Sequence, residues 1–189
     1  MLFRSLESGV LDNDDLLRDL GQLRDAGVKI GLSVTGTRQA ETLRKARSII
    51  LDGKPLFGSV QATWNVLETS AGPALAEAHA AGMFVIVKEA LANGLLTDRN
   101  HDPTFAAKRT VLAENAERLG TTLDALSLAA VIAQPWSDVV LSGASTMDQL
   151  ASNLAAFTIP WHEETAAPLR LLAERPEDYW ERRSRLAWN

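Results

Sequence analysis

Four apolar segments recur along the chain, and each runs into a turn beside a helical pattern. They span residues 28–36, 57–65, 83–97 and 138–157. Their β-branched runs are punctuated by Gly and Ser, which is typical of buried strands in a parallel sheet. Helical patterns lie between the segments, and parallel strands need such crossover connections. The pattern therefore predicts an α/β architecture.

Apolar spacing and capping signals set the expected element boundaries. Strands are predicted at 28–33, 58–62, 83–88 and 138–142, after a short strand stub at 2–5. Helices are predicted at 12–27, 38–51, 72–81, 104–119, 121–133 and 146–156. Ile50 is expected to be buried on the second helix. Asp12 and Asn13 are N-cap candidates for the first helix, and Thr121 with Asp124 resembles a capping box.

The most distinctive local signal joins the last predicted strand to the last predicted helix. Thr146 and Gln149 fit a capping box, and an apolar stripe lies behind them at Met147, Leu150, Leu154 and Phe157. Free N–H groups and the positive end of the helix dipole form an anion site at such a position, and in (β/α)8 barrels this late corner commonly holds phosphate. A well-capped helix with no ligand is the alternative interpretation.

Composition narrows the class of protein. With 189 residues, of which 46% are hydrophobic and 23% charged, one globular domain over 1–189 is expected. A net charge of -5 with scattered Lys and Arg argues against a nucleic-acid partner. The chain has no cysteine, and its three histidines lack metal-ligand spacing, so no metal site is predicted. No secretory signal or membrane-length apolar run occurs, which favours a cytoplasmic protein.

Together, the strand-turn segments resemble the second half of the barrel of the aldo-keto reductase family. The matching stretches are GLSVTG, SVQATWN, VKEALANGLLT and SGASTMDQLASNLAA. The resemblance implies a partial (β/α)8 TIM barrel, with parallel strands corresponding to the last four βα units. A complete barrel typically has about 250 residues. It implies NAD or NADP as the cofactor and a small carbonyl or sugar substrate. A Trp- and Arg-rich closing tail at 160–189 is expected to pack against the barrel, with nucleotide stacking or partner binding as the alternative.

The resemblance also implies the positions that bind the cofactor. Matching the family motifs residue by residue gives Ser33, Gln61, Lys88, Leu91, Gly143, Ala144, Ser145, Thr146, Gln149 and Asn153. Four positions depart from the motifs. Val34 replaces an Asn, Lys88 replaces an aromatic residue that commonly stacks on the nicotinamide ring, Glu89 replaces a Ser and Ala90 replaces a Pro. No Lys or Arg occurs between 138 and 157, so NAD is expected to bind at least as well as NADP.

The family's catalytic Asp, Tyr, Lys and His belong to the first half of the barrel, and none has a match in this chain. The sole tyrosine, Tyr179, lies in the tail. The resemblance therefore implies a truncated oxidoreductase that is inactive alone. Alternatives are a non-catalytic dinucleotide-binding or assembly module, and a different reaction built on Lys88 and Glu89, which could pair with each other or with a ligand. Open sheet edges at 28–33 and 138–142 favour a homo-oligomer.

Overall fold

The computed structural model describes residues 2–4 and 9–186. The strands are β1 (Leu2–Arg4), β2 (Gly31–Ser33), β3 (Ile50–Leu51), β4 (Lys54–Pro55), β5 (Ser59–Thr63), β6 (Phe84–Lys88) and β7 (Val139–Val140). The α-helices are α1 (Asp14–Asp25), α2 (Gln39–Arg47), α3 (Gly72–Ala80), α4 (Ala106–Arg118), α5 (Leu123–Ile132), α6 (Met147–Leu154), α7 (Glu163–Arg170) and α8 (Pro176–Arg185). Strands and helices alternate through most of the chain, which confirms the α/β prediction.

Five parallel strands form one twisted layer in the order β1-β2-β5-β6-β7. The predicted stub is therefore a paired strand, and the expectation that strand 28–33 is an edge is wrong. The described edges are β1 and β7. Because the strands are parallel, their carboxyl ends meet on one side, where Ser33 lies opposite Gln61 and Thr63 lies opposite Lys88.

The core consists of two adjoining apolar clusters. The first packs the sheet against α1, α2 and α3 and includes Leu20, Leu32, Leu43, Val60, Leu75 and Val85. The second lies between the helices that follow β6 and the tail, and includes Leu67, Leu96, Leu112, Leu126, Leu169 and Tyr179. The tail thus contributes to the core, since Tyr179 is only 1% exposed. This agrees with the packing interpretation of the tail.

The predicted helix 38–51 is too long. Helix α2 ends at Arg47, and Ile50 belongs to β3, where it is 51% exposed rather than buried. Strands β3 and β4 form an antiparallel hairpin around Asp52 and Gly53, both of which have positive φ. An Asp-Gly pair readily adopts this two-residue turn, so the local turn chemistry outweighs the helical spacing of the preceding residues.

One of the two N-cap candidates for α1 is confirmed, whereas the cap of α5 lies one residue after its prediction. Asn13 rather than Asp12 caps α1, because its side chain accepts a hydrogen bond from the Leu16 N–H at 3.0 Å. Thr122 rather than Thr121 caps α5, accepting from the Ala125 N–H at 3.3 Å. Thr121 is unsuitable because its own N–H still donates to the Ala116 carbonyl and closes α4. This 6→1 hydrogen bond follows Gly120 at φ 62°, as in a Schellman ending.

The apolar stripe predicted on the last helix is present, but most of it faces outward. Met147 is 77% exposed, Leu154 is 54% exposed and Phe157 is 71% exposed. Beside this stripe, the edge strand and its extension present Val139 and Leu141, also exposed. We call these residues, with Leu150, the β7/α6 patch. Contiguous apolar exposure of this kind is typical of a surface that another element or chain covers.

Candidate functional site

Three of the predicted cofactor residues meet at the carboxyl ends of β2, β5 and β6. The Lys88 ammonium group donates to the Ser33 hydroxyl oxygen at 3.1 Å, and that hydroxyl donates to the Gln61 amide oxygen at 3.0 Å. All three side chains are half-buried at the mouth of the sheet. A positive charge therefore orients a chain of hydrogen bonds that ends on an amide.

Val34, at the position where the family motif has an Asn, lies in the first apolar core cluster. Its side chain is 1% exposed and its N–H donates to the Gln61 carbonyl oxygen at 2.8 Å. The backbone of β2 therefore continues to pair with β5 past Ser33. The substitution removes one polar group from the mouth without loosening the sheet.

A second group of predicted residues lines a cavity of about 270 Å³ at the corner between β7 and α6. Leu91 enters from the loop after β6, whereas Gly143, Ala144, Gln149 and Asn153 come from the corner itself. Residues more than 50 positions apart thus converge on one cavity. Ser145 and Thr146 lie next to it and shape the helix start instead of lining the wall.

The start of α6 has a capping box in which one of the two reciprocal hydrogen bonds is shifted by one residue. The Thr146 hydroxyl oxygen accepts from the Gln149 N–H at 3.2 Å, as predicted. The Gln149 amide oxygen, however, accepts from the N–H and the hydroxyl of Ser145, at 2.8 and 3.0 Å. The side chain of Gln149 therefore occupies the Ser145 N–H, and an anion that used this N–H would have to displace it.

Asn153 anchors the floor of the same cavity. It is 6% exposed, and its amide lies between the Ser142 carbonyl oxygen and the Asp124 carboxylate. With the amide nitrogen turned toward α5, it donates to the Asp124 carboxylate at 3.0 Å. The contact ties α6 to α5 beneath the corner. Replacing Asn153 would therefore disturb both the cavity wall and the packing of these helices.

The expectation that no cation lies near this corner is wrong. Arg99, in the loop after β6, is exposed and lines the cavity. Three carboxylates, those of Asp98, Asp124 and Asp148, line it as well. The lining therefore carries more negative than positive charge, and Asp148 lies in the first turn of α6, where an anion would bind. These charges oppose tight binding of phosphate groups.

The pairing suggested for Lys88 and Glu89 is also corrected. The Glu89 carboxylate accepts two hydrogen bonds from the Arg183 guanidinium, from Nε and Nη2, each at 2.9 Å. Lys88 points to Ser33 instead. The two neighbours diverge because Glu89 has a left-handed backbone, with φ 54°, that turns its side chain toward α8.

Comparison with known proteins identifies the family. The sequence model of the aldo/keto reductase family matches residues 10–174. The chain belongs to the aldo/keto reductase family. No curated protein sequence matches it closely enough to refine this assignment.

Solved aldo-keto reductases share the fold. A thermostable aldo-keto reductase in complex with the inhibitor epalrestat is 22% identical, with a TM-score of 0.60, covering 85% of this chain and 56% of the other. An aldo-keto reductase from Bacillus halodurans is 20% identical in its apo form (TM-score 0.69, 92% of this chain, 61% of that one) and 21% identical in its holo form (0.68, 92%, 60%). The chain therefore spans less than two thirds of the length of these reductases. Its described sheet has five parallel strands and is an open part of a barrel.

Sequence reasoning missed several residues of the site in this aldo/keto reductase chain. Thr97, Asp98 and Arg99 lie within a polar loop expected at about 93–103, and nothing in their spacing marks them as ligand-facing. Asp124 was assigned only to a helix cap. These residues are distant in sequence from the β7–α6 corner and reach the same cavity through tertiary packing. Among the described residues, no cluster of three His, Asp or Glu side chains could hold a metal ion. None of the described helices is long and apolar enough to cross a bilayer.

Proposed function

We propose that this chain is the dinucleotide-binding part of an aldo/keto reductase and does not reduce carbonyl compounds on its own. The proposal rests on one observation above all: the cavity at the β7–α6 corner brings together Leu91, Gly143, Ala144, Gln149 and Asn153. The family motifs in the sequence match the same residues to cofactor positions. A sugar or another small carbonyl compound would be the substrate of a completed enzyme.

Two regions bind the two ends of the dinucleotide. The corner cavity takes the adenosine and phosphate end, with Asn153 and Gln149 as polar contacts and Arg99 as the one cation among the described lining residues. At the mouth, the Gln61 amide binds the nicotinamide carboxamide, and Ser33 and Lys88 hold that amide in place. When bound, the nicotinamide supplies the hydride. The excess of carboxylates at the corner makes binding weak and gives NADP, with its additional phosphate, no advantage over NAD.

Proton transfer is the step that this chain cannot supply. In the family, a tyrosine hydroxyl protonates the carbonyl oxygen, and Tyr179 is the only tyrosine here. It is buried in the second core cluster, where its Oη accepts from the Asn65 amide at 3.0 Å. Burial, with the nearby Glu89 carboxylate, raises the pKa of Tyr179 well above its usual value. A hydroxyl in this position is a structural group and not a general acid.

We expect that the purified chain gives no oxidation of NADH or NADPH by simple aldehydes above the buffer background. The physical reason is the lack of a positioned acid, which typically contributes about 10²–10⁴-fold to such a reaction. The measurement is loss of absorbance of the reduced cofactor, with Gln61→Ala as the matched variant. Turnover that survives repurification and disappears in Gln61→Ala would refute inactivity and assign the reaction to this mouth.

We also expect weak binding of NADH, detectable by calorimetry, with NADPH no tighter. Replacing Arg99 by Ala should weaken binding of both by about fivefold, because an exposed charge contact contributes about 1 kcal/mol. Arg18→Ala is the control, since it removes the same charge from α1, where the side chain is 68% exposed.

Asn153→Ala should weaken binding through the cavity floor. If Asn153→Ala and Arg99→Ala both leave the measured affinity unchanged, the corner is not the binding site. Loss of NADPH binding alone in Arg99→Ala would instead place the additional phosphate at Arg99. Substantially tighter NADPH binding by the unmodified chain would contradict the expected cofactor preference.

A non-catalytic assembly module is the second candidate, and the β7/α6 patch is the observation that favours it. A reaction built on Lys88 and Glu89 has less support, because the Glu89 carboxylate is engaged by Arg183.

A further inference from the structure

The loop that follows β6 has an unusual backbone. Glu89, Ala92 and Asn93 all have positive φ, at 54°, 47° and 57°, and Gly94 follows at 92°. Side chains with a Cβ rarely adopt this conformation, and Glu and Ala have no local hydrogen bond of the Asn type to favour it. Something outside the loop must therefore hold it, above all at Glu89, where the strand turns into the loop.

Helix α8 supplies that support through two residues one turn apart. The Arg183 guanidinium donates two hydrogen bonds of 2.9 Å to the Glu89 carboxylate, and the two side chains are only 8% and 16% exposed. On the same helix, the Tyr179 hydroxyl accepts from the Asn65 amide, which also donates to the Glu89 carbonyl oxygen at 2.9 Å. Both the side chain and the backbone of Glu89 are thus fixed from outside its own loop. A bidentate pair of this kind also fixes orientation, which a single contact does not.

The fixed residue starts a run of short-range contacts that leads to the cavity. The Ala92 N–H donates to the Glu89 carbonyl oxygen at 2.8 Å, and the N–H groups of Gly94 and Leu96 donate to the Leu91 carbonyl oxygen at 2.9 and 3.3 Å. Leu91 lines the corner cavity, as do Thr97, Asp98 and Arg99 at the far end of the loop. A change in the backbone at Glu89 would therefore move one wall of the cavity.

We propose that Arg183 is a positioning residue, by which the C-terminal helix α8 holds Glu89 in its left-handed conformation and so shapes the loop that lines the dinucleotide cavity. The effect on cofactor affinity rests on the proposed function, whereas the effect on the loop does not. Arg183 is not among the described residues that line the cavity, so we assign its influence to Glu89.

Four proteins test this proposal: the unmodified chain, Arg183→Met, and Arg183→Met combined with either Glu89→Gly or Glu89→Ala. The double variants both remove the ion pair without leaving a buried charge, and they differ only in the Cβ at position 89. Glycine accepts positive φ without strain, whereas alanine does not. We expect NADH affinity to fall about tenfold in Arg183→Met and in the alanine double variant, equivalent to about 1.4 kcal/mol. The glycine double variant should return to within about twofold of the unmodified chain.

Hydrogen exchange provides a readout that does not depend on cofactor binding. Protection of the Ala92, Gly94 and Leu96 amides should fall at least about tenfold, equivalent to about 1.4 kcal/mol, in Arg183→Met and in the alanine double variant. It should recover in the glycine double variant. Amides of β5 serve as the internal reference for global stability. If the alanine and glycine double variants behave alike, or if loop protection is unchanged in all variants, the proposal is wrong. If the unmodified chain does not bind NADH but loop protection follows this order, the proposed function fails and the positioning role stands.

Discussion

Replacing Leu154 and Phe157 together by glutamate is expected to abolish the self-association that we propose for this chain. Both side chains project from the β7/α6 patch, with 54% and 71% of their surface exposed. The adjacent strand β7 is a described edge of the sheet, and an unpaired edge beside apolar surface promotes association. Burying each side chain in an interface is worth roughly 1.5–3 kcal/mol, so the double change should weaken association by about 100-fold or more.

A second copy of the chain is the partner that we propose for this patch. A two-fold axis would place one β7 against another, and strands related in that way run antiparallel. Such a seam differs from the parallel pairing within the sheet. The expected dimer is therefore not a closed eight-stranded barrel. Because β1 covers β2, the edge at 28–33 that the sequence suggested has no part in it.

Light scattering across a dilution series through micromolar concentrations measures this association. The control is Leu171→Glu, which introduces the same charge at an apolar side chain that is 83% exposed but lies at the end of α7. The control should behave as the unmodified chain does. A compact, cooperatively unfolding monomer at all concentrations would show that the patch does not bind a second copy.

The strands of this chain could be predicted because their signal is local. Apolar runs such as Phe84–Lys88 predict a buried strand from the residues of the strand alone. The hairpin around Asp52 and Gly53 could not be predicted from residue spacing, since the flanking residues also fit a helical period. The turn residues decided the outcome there, because Asp-Gly adopts paired positive φ values at low cost.

The candidate site was only partly predictable, for a different physical reason. Family motifs indicate Leu91, Gly143, Ala144, Gln149 and Asn153, which line one cavity, whereas Ser145 and Thr146 lie beside it. Arg99 could not be predicted because it joins that cavity through tertiary packing of distant parts of the chain. The Glu89–Arg183 pair joins residues 94 positions apart, and a charged pair at that separation has no periodic pattern. Contacts of this kind are set by tertiary packing and require the structure.

The buried carboxyl group of Glu68 should give the stability of the chain an unusual pH dependence. Glu68 is 0% exposed, and its Oε1 accepts from the N–H of Ser70 at 3.1 Å and from the Ser70 hydroxyl. Its Oε2 has no hydrogen-bond partner among the described residues. Burial is the main cause that raises the pKa of Glu68, opposed by the hydrogen bonds from Ser70 and by the nearby side chain of Gln39. The folded protein therefore binds a proton at this site more tightly than the unfolded chain does.

The sign of the effect follows from that comparison. Below the unfolded pKa of about 4.3, Glu68 is protonated in both states and its contribution to stability is fully present. As the pH rises through the higher folded pKa, the group must ionise in the core, and this contribution is lost. Glu77 should behave in the opposite way, because its hydrogen bond with Arg44 lowers the pKa of this surface carboxyl group.

Glu68→Gln isolates the effect, because an uncharged amide cannot ionise and its oxygen can still accept from Ser70. Relative to the unmodified chain, this variant should gain free energy of unfolding as the pH rises from 4.5 to 8, because only the unmodified chain must ionise a buried carboxyl group over this range. Urea unfolding at a series of pH values measures the difference. In Glu77→Gln the difference should change with the opposite sign, the variant losing stability as the pH rises. A constant difference between Glu68→Gln and the unmodified chain across this range would show that Glu68 titrates normally and that its burial carries no electrostatic penalty.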